Sequence, residues 1–205
     1  MQTASSLDSS LPTRDRIIAA VGELFYRHGT YLLGVDSLVR HLRITRATLY
    51  RHFRGKEGLV LAYLRHRHEC VSRQLLDLVT DKSGAEAVDA IFASLETKTR
   101  DEHYRGCAFV IAVTENPRSE AIFAVGQEHK AFLRALFVRL LQAEPDRKNG
   151  VNGASDALAD QLLLLYEGAL AASVLRPQAR PATTARAIVA MLLSGRKDTS
   201  CGAAQ

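Results

Sequence analysis

The stretch Arg40–Gly58, RHLRITRATLYRHFRGKEG, combines a dense positive charge with regularly spaced apolar side chains. Residues 37–56 contain six Arg or Lys and two His, and they contain no Asp or Glu. Leu49 and Phe53 are four positions apart, so they would share one face of a helix over Arg46–Phe53. The stretch therefore predicts a short helix with one apolar face and one basic face.

A second short helix is predicted directly before this one. From Val35 to Leu42 the apolar residues fall on one stripe of a helix. Arg43 and Ile44 form the turn, and Thr45 has a hydroxyl that suits the N-cap of the next helix. A short helix, a tight turn and a basic helix make the helix-turn-helix pattern, whose second helix lies in the major groove of DNA.

The charge distribution supports a basic module joined to a neutral body. The net charge is +5; residues 1–66 contain ten Lys or Arg against five Asp or Glu, whereas residues 67–205 contain seventeen of each. Three cysteines give no disulfide framework, and no basic-then-apolar leader opens the chain. Uninterrupted apolar runs, such as Leu162–Tyr166, are far shorter than the ~20 residues of a membrane span. We therefore expect a soluble cytoplasmic protein without a membrane partner.

The rest of the chain predicts an all-α fold with eight or nine helices. Cys107–Thr114 alone would also suit a strand, but the helices on both sides favour a short buried helix. Glu144–Ser155 is predicted to be a loop from its Pro, Gly and Asn content. The longer helices are expected at about Pro12–His28, Lys56–Thr80, Ala85–Arg100, Ser119–Ala143, Asp156–Leu175 and Pro181–Leu193.

Helical periodicity separates scaffold from DNA-contacting side chains in the second short helix. With Leu49 and Phe53 facing inward, the intervening residues turn outward. Arg bonds bidentately to guanine, and Ala or Thr contacts a thymine methyl, whereas Tyr, His and Lys suit phosphate oxygens. The predicted DNA-binding residues are Thr45, Arg46, Ala47, Thr48, Tyr50, Arg51, His52 and Lys56. Arg40, Arg43 and Arg54 add positive charge without an assigned contact.

The stretch GVDSLVRHLRITRATLYRHFRGKEGLVLAYL, Gly34–Leu64, resembles the DNA-binding domain of the TetR family of bacterial regulators. The matching motif is Ile44-Thr-Arg-Ala-Thr-Leu-Tyr50, followed by His52-Phe53 and Lys56-Glu-Gly-Leu59. Two positions depart from the family pattern: Leu42-Arg43 stands where Ala-Gly is usual, and Gly34 replaces a capping hydroxyl. An Arg in this turn must avoid positive φ or carry a conformational cost.

The resemblance implies the domain organisation of such a regulator. We expect a disordered tail at 1–11, a helix-turn-helix domain at 12–55, a helical effector-binding and dimerisation domain at 56–195, and a second tail at 196–205. The family's members are most often repressors, and they pair through their last two long helices. The expected partners are double-stranded operator DNA of near-palindromic sequence, an unknown small-molecule effector and a second copy of the chain.

Helix faces suggest which residues would serve the second domain. The segment Leu158–Leu175 is apolar almost all round, which is typical of a helix buried on all sides or shared with a partner. The predicted dimer residues are Leu158, Leu162, Ala169, Ala172, Ala185, Ile188, Val189 and Leu192. The predicted effector-site residues, for a largely apolar ligand, are Tyr63, His66, Arg67, Cys70, Phe92, Cys107, Phe109, Val113, Phe132, Gln161, Leu165 and Tyr166.

The cysteines and the acidic residues allow alternative interpretations. Cys107, near Arg105 and His103 in sequence, would suit a thiol sensor on the same scaffold. His66 and Cys70 share a helix face but lack the further ligands that a metal site needs, so we assign no metal and no cofactor. No nucleophile motif or phosphate-binding loop is present, which argues against an enzyme, including a metal-dependent helical-bundle enzyme. Glu115, Asp160 and Glu167 are candidate polar groups at a pocket.

Overall fold

The structure, a computed structural model, describes residues 13–143 and 152–194. These residues form nine α-helices and a 3₁₀ turn at Pro177–Ala179, and no strand lies among them. The helices are α1 Thr13–His28, α2 Val35–Leu42, α3 Arg46–Phe53, α4 Lys56–Leu78, α5 Gly84–Thr99, α6 Ala108–Glu115, α7 Glu120–Gln142, α8 Asn152–Leu175 and α9 Pro181–Ser194. The all-α prediction is confirmed.

The chain divides into two compact units, and each unit combines segments that are not consecutive in the sequence. The described part of the first unit is residues 13–70 together with 108–127. The described part of the second unit is residues 71–107, 128–143 and 152–194. The helix α6 therefore belongs with the N-terminal helices. The predicted domain boundary between residues 55 and 56 stays a prediction.

The first unit is built around α1, α2 and α3. Leu38 and Leu49 have no exposed surface, and Phe53 is 4% exposed. As predicted, Thr45 caps α3, because its Oγ1 accepts a hydrogen bond from the backbone N–H of Thr48 at 3.0 Å. The cap and the buried leucines hold α3 against α2, and they leave its other face to solvent.

A glycine permits the close junction between α3 and α4. A Cβ atom on Gly58 would lie 1.7 Å from the carbonyl oxygen of Phe53. No side chain fits at that separation, so the chain can enter α4 directly after α3 only with glycine at this position. Gly58 lies between Glu57 and Leu59 in the first turn of α4.

The turn between α2 and α3 places a non-glycine residue in the left-handed region. Arg43 has φ 52° and ψ 44°, and its N–H bonds back to the carbonyl of Arg40. The alternative in which Arg43 avoids positive φ is therefore not adopted. The turn keeps the geometry that a glycine would give, at a cost of about 1–2 kcal/mol for an L-residue.

Replacing Arg43 by glycine should stabilise the protein by about 0.5–1 kcal/mol, because the steric cost of positive φ exceeds the added entropy of the unfolded chain. Urea denaturation followed by circular dichroism would measure this gain. Arg40→Gly is the matched control, since Arg40 is exposed but helical. That variant should lose about 0.5–1 kcal/mol. Equal effects of the two variants would contradict the conformational argument.

The second unit is a helical bundle in which α5, α8 and α9 pack on one another. Its core contains three aromatic rings: Phe92 stacks on Phe137 at 6.2 Å between ring centroids, and both meet the edge of Tyr166. Arg186 of α9 binds Asp89 of α5 through two hydrogen bonds of 2.7 Å and Glu96 at 3.1 Å. These ion pairs tie α9 to α5 beside the apolar core.

Most predicted helix limits agree with the structure within a few residues. The short helix predicted from Cys107 is observed as α6. α8 begins at Asn152, inside the segment predicted to be a loop, so the loop prediction was wrong for its last residues. Residues 1–12, 144–151 and 195–205 lie outside the described part, and with them lie both predicted tails and Cys201.

Candidate nucleic-acid interface

The outward face of α3 is a contiguous polar and basic surface. Leu49 and Phe53 are buried as predicted, which confirms the sorting of the helix into an inner and an outer face. Tyr50 is 54% exposed, although it is aromatic. Of the predicted DNA-binding residues, those exposed are Thr45, Arg46, Ala47, Tyr50 and Arg51, and those half-buried are Thr48, His52 and Lys56.

Arg46 is held by an acidic residue of the preceding helix. Its Nε donates to Oδ1 of Asp36 at 2.8 Å, and its Nη2 contacts the same oxygen. Both side chains are more than 60% exposed, so the pair adds little stability. In this conformation the guanidinium points toward Asp36 at the start of α2. Asp36 lies in the first turn of α2 and was not singled out in the sequence, since its contact depends on the angle between two helices.

The structure gives Lys56 a partner inside the protein. Its ammonium donates to the backbone carbonyl of Tyr31 at 2.8 Å and lies 5.9 Å from the centre of the Tyr31 ring. Partial burial lowers the pKa of Lys56 from its usual value, and the nearby carboxylate of Glu115 opposes that change. The ammonium therefore fastens the loop after α1, which differs from the predicted role of a free phosphate clamp.

Glu115, at the end of α6, contacts the same loop. One carboxylate oxygen, Oε2, accepts hydrogen bonds from the N–H and the hydroxyl of Thr30 and, at 3.2 Å, from the N–H of Tyr31. Asn116 adds a bond of 2.7 Å from its amide to the Thr30 hydroxyl. Glu115 is thus a loop anchor and not the pocket group that the sequence suggested. The other two acidic candidates are also paired, Asp160 with Arg134 and Glu167 with Lys130.

The twelve predicted effector-site residues divide between the two units. The first unit contains Tyr63, His66, Arg67, Cys70, Phe109 and Val113, and the second contains Phe92, Cys107, Phe132, Gln161, Leu165 and Tyr166. Four of them are buried in the core of their own unit: Tyr63, Phe92, Phe109 and Tyr166. These four pack in the core, and their predicted contact with an effector stays a prediction.

The remaining members of this set are more accessible. Arg67 places its guanidinium 5.0 Å from the centre of the Tyr26 ring. His66 and Cys70 contact each other at 3.6 Å between Nε2 and Sγ. Among the four buried residues, burial, with Cys107 as a smaller cause, raises the pKa of Tyr166 to about 12. Cys107 itself is half-buried.

The second unit contains a cleft that the sequence did not predict. It has a volume of about 500 Å³ and lies at the end of α5, the end of α8 and the start of α9. The lining combines polar and apolar surface, and it includes none of the twelve predicted residues. The Oγ of Ser173, one of the lining residues, is buried and has no hydrogen-bond partner among the described residues. The lining residues are Glu96, Thr99, Arg100, Asp101, Glu102, Tyr104, Ser173, Val174, Pro177, Gln178, Arg180, Pro181, Ala182 and Thr183.

The predicted dimer residues lie mainly on the inner faces of α8 and α9. Leu158, Leu162, Ala169, Ala185 and Val189 are at most 5% exposed and belong to the core of the second unit. Their side chains pack inside the unit, and their predicted contact with a second copy stays a prediction. Ala172, Ile188 and Leu192 are half-buried.

A different stripe on α8 and α9 is apolar and exposed. Leu164, Leu175 and Met191 are 70%, 84% and 64% exposed. Small residues complete the stripe: Gly168 and Ala171 on α8, and Ala187 and Ala190 on α9. The apolar periphery of α8 explains why Ser155–Leu175 is the one helical segment among the described residues that is long and apolar enough to cross a membrane. A helix that packs one apolar side against the core and exposes another apolar side meets that criterion without lying in a bilayer.

Among the described residues, no group of three or more His, Cys, Asp and Glu is placed to hold a metal ion. The contact between His66 and Cys70 is a pair without a third ligand within that part of the chain. The basic surface of α3 has a geometry that suits contact with a nucleic acid.

Comparisons with known proteins agree with a DNA-binding role for this surface. The sequence profile of the family described as "Bacterial regulatory proteins, tetR family" matches residues 17–63, from α1 into α4. The HTH-type transcriptional regulator UidR of Escherichia coli K12 is 27% identical over 183 residues, which are 88% of this chain and 91% of UidR.

Solved structures extend the similarity to almost the whole chain. SCO4454, a TetR-family transcriptional regulator from Streptomyces coelicolor, is 27% identical with a TM-score of 0.80, and the alignment covers 94% of this chain and 96% of that one. GusR of Salmonella enterica is 25% identical with a TM-score of 0.67 and coverage of 93% and 100%. Residues 17–63, with the exposed basic helix α3, are therefore a DNA-binding domain of the TetR family, and almost the whole chain is similar to TetR-family transcriptional regulators.

Proposed function

We propose that this protein is a homodimeric repressor that leaves a near-palindromic operator when a small molecule binds. The observation that carries the proposal is the exposed polar and basic face of α3, seated on a buried scaffold of Leu38, Leu49 and Phe53. A regulator of this kind works in the cytoplasm. In a dimer the two α3 helices would enter successive major grooves, with half-site centres about 34–36 Å apart.

The proposed DNA contacts are the exposed residues of α3 and its N-cap. Arg46 is the proposed base reader, because a guanidinium is suited to the O6 and N7 acceptors of guanine. Asp36 would hold it in direction until DNA is bound. Thr48 is already bonded to Thr45 in the N-cap, at 2.9 Å between the two hydroxyls. Tyr50 and Arg51 project outward and would approach the phosphates.

Selection of duplexes from a random pool by the full-length protein tests this function. The expected outcome is an enriched near-palindromic site, with protection of two half-sites one helical turn apart. Addition of candidate small molecules should then identify one that releases the protein from the selected duplex. Failure to enrich any sequence would contradict operator recognition. Enrichment of a motif without two-fold symmetry would contradict binding as a symmetric dimer.

Replacing Arg46 by alanine should lower the preference for one base pair in each half-site by about tenfold, which is within the ~1–3 kcal/mol expected for a bidentate contact. Titration of the selected duplex and of duplexes with single changes would measure this preference. Arg54→Ala is a matched control that removes the same charge from an exposed site just after α3. An equal loss for every duplex with Arg46→Ala would show a phosphate contact instead of base reading.

The proposed dimer surface is the exposed apolar stripe of α8 and α9. Its side chains recur at intervals of three and four residues along α8: Leu164, Gly168, Ala171 and Leu175. Small residues at the centre of such a stripe allow two helices to approach closely. Covering a contiguous exposed apolar patch is a common reason for subunit association.

The effector is proposed to bind in the second unit. The cleft at the ends of α5 and α8 has a volume within the usual range for small-molecule sites. Because carboxylates, guanidinium groups and hydroxyls share the lining with apolar surface, the expected effector carries more polar groups than the largely apolar one predicted from helix faces. The sequence-predicted effector residues that are not buried, among them Cys107, Phe132 and Leu165, remain proposed effector contacts, but we place them after the residues of the cleft.

A further inference from the structure

We propose that Glu115 is a positioning residue for DNA recognition: it holds the loop between α1 and α2 in the conformation that presents the helix-turn-helix. The residue is 85 positions away from Thr30 in sequence, outside the matched DNA-binding domain. It touches no DNA in this proposal. Its effect would pass through the loop of residues 29–34 to α2, and from α2 to α3.

The contacts of one carboxylate oxygen carry this inference. Oε2 of Glu115 accepts from the N–H of Thr30, from its hydroxyl at 2.8 Å, and from the N–H of Tyr31 at 3.2 Å. Thr30 is 1% exposed, so its polar groups cannot turn to water. Removing a charged acceptor from buried donors leaves them unsatisfied, which is more costly than losing an exposed bond. The loop conformation therefore depends on Glu115.

Glycine at position 29 makes this approach possible. A Cβ on Gly29 would lie 2.2 Å from Oε1 of Glu115, and the residue has φ 79°. The chain thus leaves α1 in a conformation that favours glycine, and it leaves room for the carboxylate directly beside the backbone.

The loop is also fastened from α4. The ammonium of Lys56 donates to the carbonyl of Tyr31 at 2.8 Å, next to the N–H that Glu115 accepts. Lys56 begins the helix that follows α3, and the side chain of Glu57 accepts a hydrogen bond from Ser119, just after α6. Both the loop before α2 and the helix after α3 are therefore bonded to the segment 115–119. This agrees with the grouping of residues 108–127 with the N-terminal helices.

The experiment compares Glu115→Gln with the wild type in the full-length protein. On a duplex selected by the wild type, the affinity of Glu115→Gln should fall about tenfold, as the loss of charge-assisted bonds implies. Affinity for an unrelated duplex should be unchanged, because phosphate contacts dominate that binding. Hydrogen exchange of the Thr30 and Tyr31 amides should accelerate while exchange within α5 stays constant. Glu120→Gln is the matched control, since Glu120 is exposed at the start of α7.

Variants at Thr30 provide a second test that does not alter charge. Thr30→Val removes the hydroxyl and should also weaken binding to the selected duplex, whereas Thr30→Ser retains the hydroxyl and should restore most of the affinity. The double variant, Thr30→Val with Glu115→Gln, should bind the selected duplex with an affinity within a few-fold of that of the weaker-binding single variant. The two losses should not add, because both changes disturb one set of bonds. These variants decide the question if Glu115→Gln does not fold.

Three results would overturn the proposal. One is wild-type affinity of Glu115→Gln and Thr30→Val for the selected duplex. Another is an equal loss of affinity for selected and unrelated duplexes with general acceleration of exchange, which would indicate only a loss of stability. The third is an equal loss with Thr30→Ser and Thr30→Val. If the wild type selects no duplex, the proposed operator recognition fails instead, so the two failures are distinguishable.

Discussion

Replacement of Phe92 by alanine is expected to lower the free energy of unfolding by about 3–5 kcal/mol. Phe92 has no exposed surface, and its ring contacts those of Phe137 and Tyr166 at 6.2 and 6.0 Å between centroids. Truncation would remove the apolar transfer energy of the side chain and would leave a cavity between two rings that cannot both collapse into it. Urea denaturation followed by circular dichroism would measure the change.

Two further variants separate packing from a role in effector binding. Phe92→Leu keeps most of the volume and should cost about 1.5 kcal/mol or less. Phe123→Ala truncates a ring that is 52% exposed, and it should change stability by no more than about 0.5 kcal/mol. If Phe92→Ala folds with nearly wild-type stability but no longer responds to the effector, the residue lines the effector site as the sequence suggested, and our assignment to the core is wrong.

Replacement of Ala171 by arginine is expected to convert the protein to a monomer and to weaken binding to the selected duplex by about 100-fold or more. Ala171 lies at the centre of the exposed stripe of α8, between Gly168 and Leu175. A long cationic side chain there would hold two copies apart and would bury a charge without a partner. Loss of the second half-site removes the avidity of a bivalent contact, which is about 10²–10⁴.

Light scattering and DNA titration of the same samples would check both parts of this expectation. Ala131→Arg is the matched control, because Ala131 is exposed on α7 and is not part of the stripe. It should remain dimeric with unchanged DNA affinity. A dimer that persists in Ala171→Arg would show that the subunits associate through another surface. A monomer that still binds the selected duplex with full affinity would contradict the requirement for two recognition helices.

The DNA-binding helices were predictable because their determinants are local. Gly29 ends α1, the turn at Arg43 ends α2, and the cap at Thr45 begins α3. Each lies within a few residues of the helix that it limits. The inner and outer faces of α3 follow from the helical period alone. The backbone conformation of Arg43 did not follow, since the sequence offers no measure of how firmly the neighbouring helices impose the turn.

The effector and dimer residues were less predictable because the helices that carry them have apolar side chains on several faces. On α8 the periodicity assigns Leu162 and Leu164 to different faces, but both are leucines, and hydropathy does not say which face meets the core. The structure buries Leu162 completely and leaves Leu164 70% exposed. Likewise Phe92 and Tyr166 had the residue types of a pocket, and packing made them core.

The sequence by itself determined a basic helix-turn-helix at the N-terminal end of an all-helical chain, because short-range periodicity, capping and charge specify that motif. Only the tertiary structure decided that α6 belongs with those helices, that Glu115 anchors Thr30, and that Lys56 turns inward to Tyr31. These contacts join residues that are 25 to 85 positions apart. No local pattern encodes such pairs, because they depend on how complete helices pack.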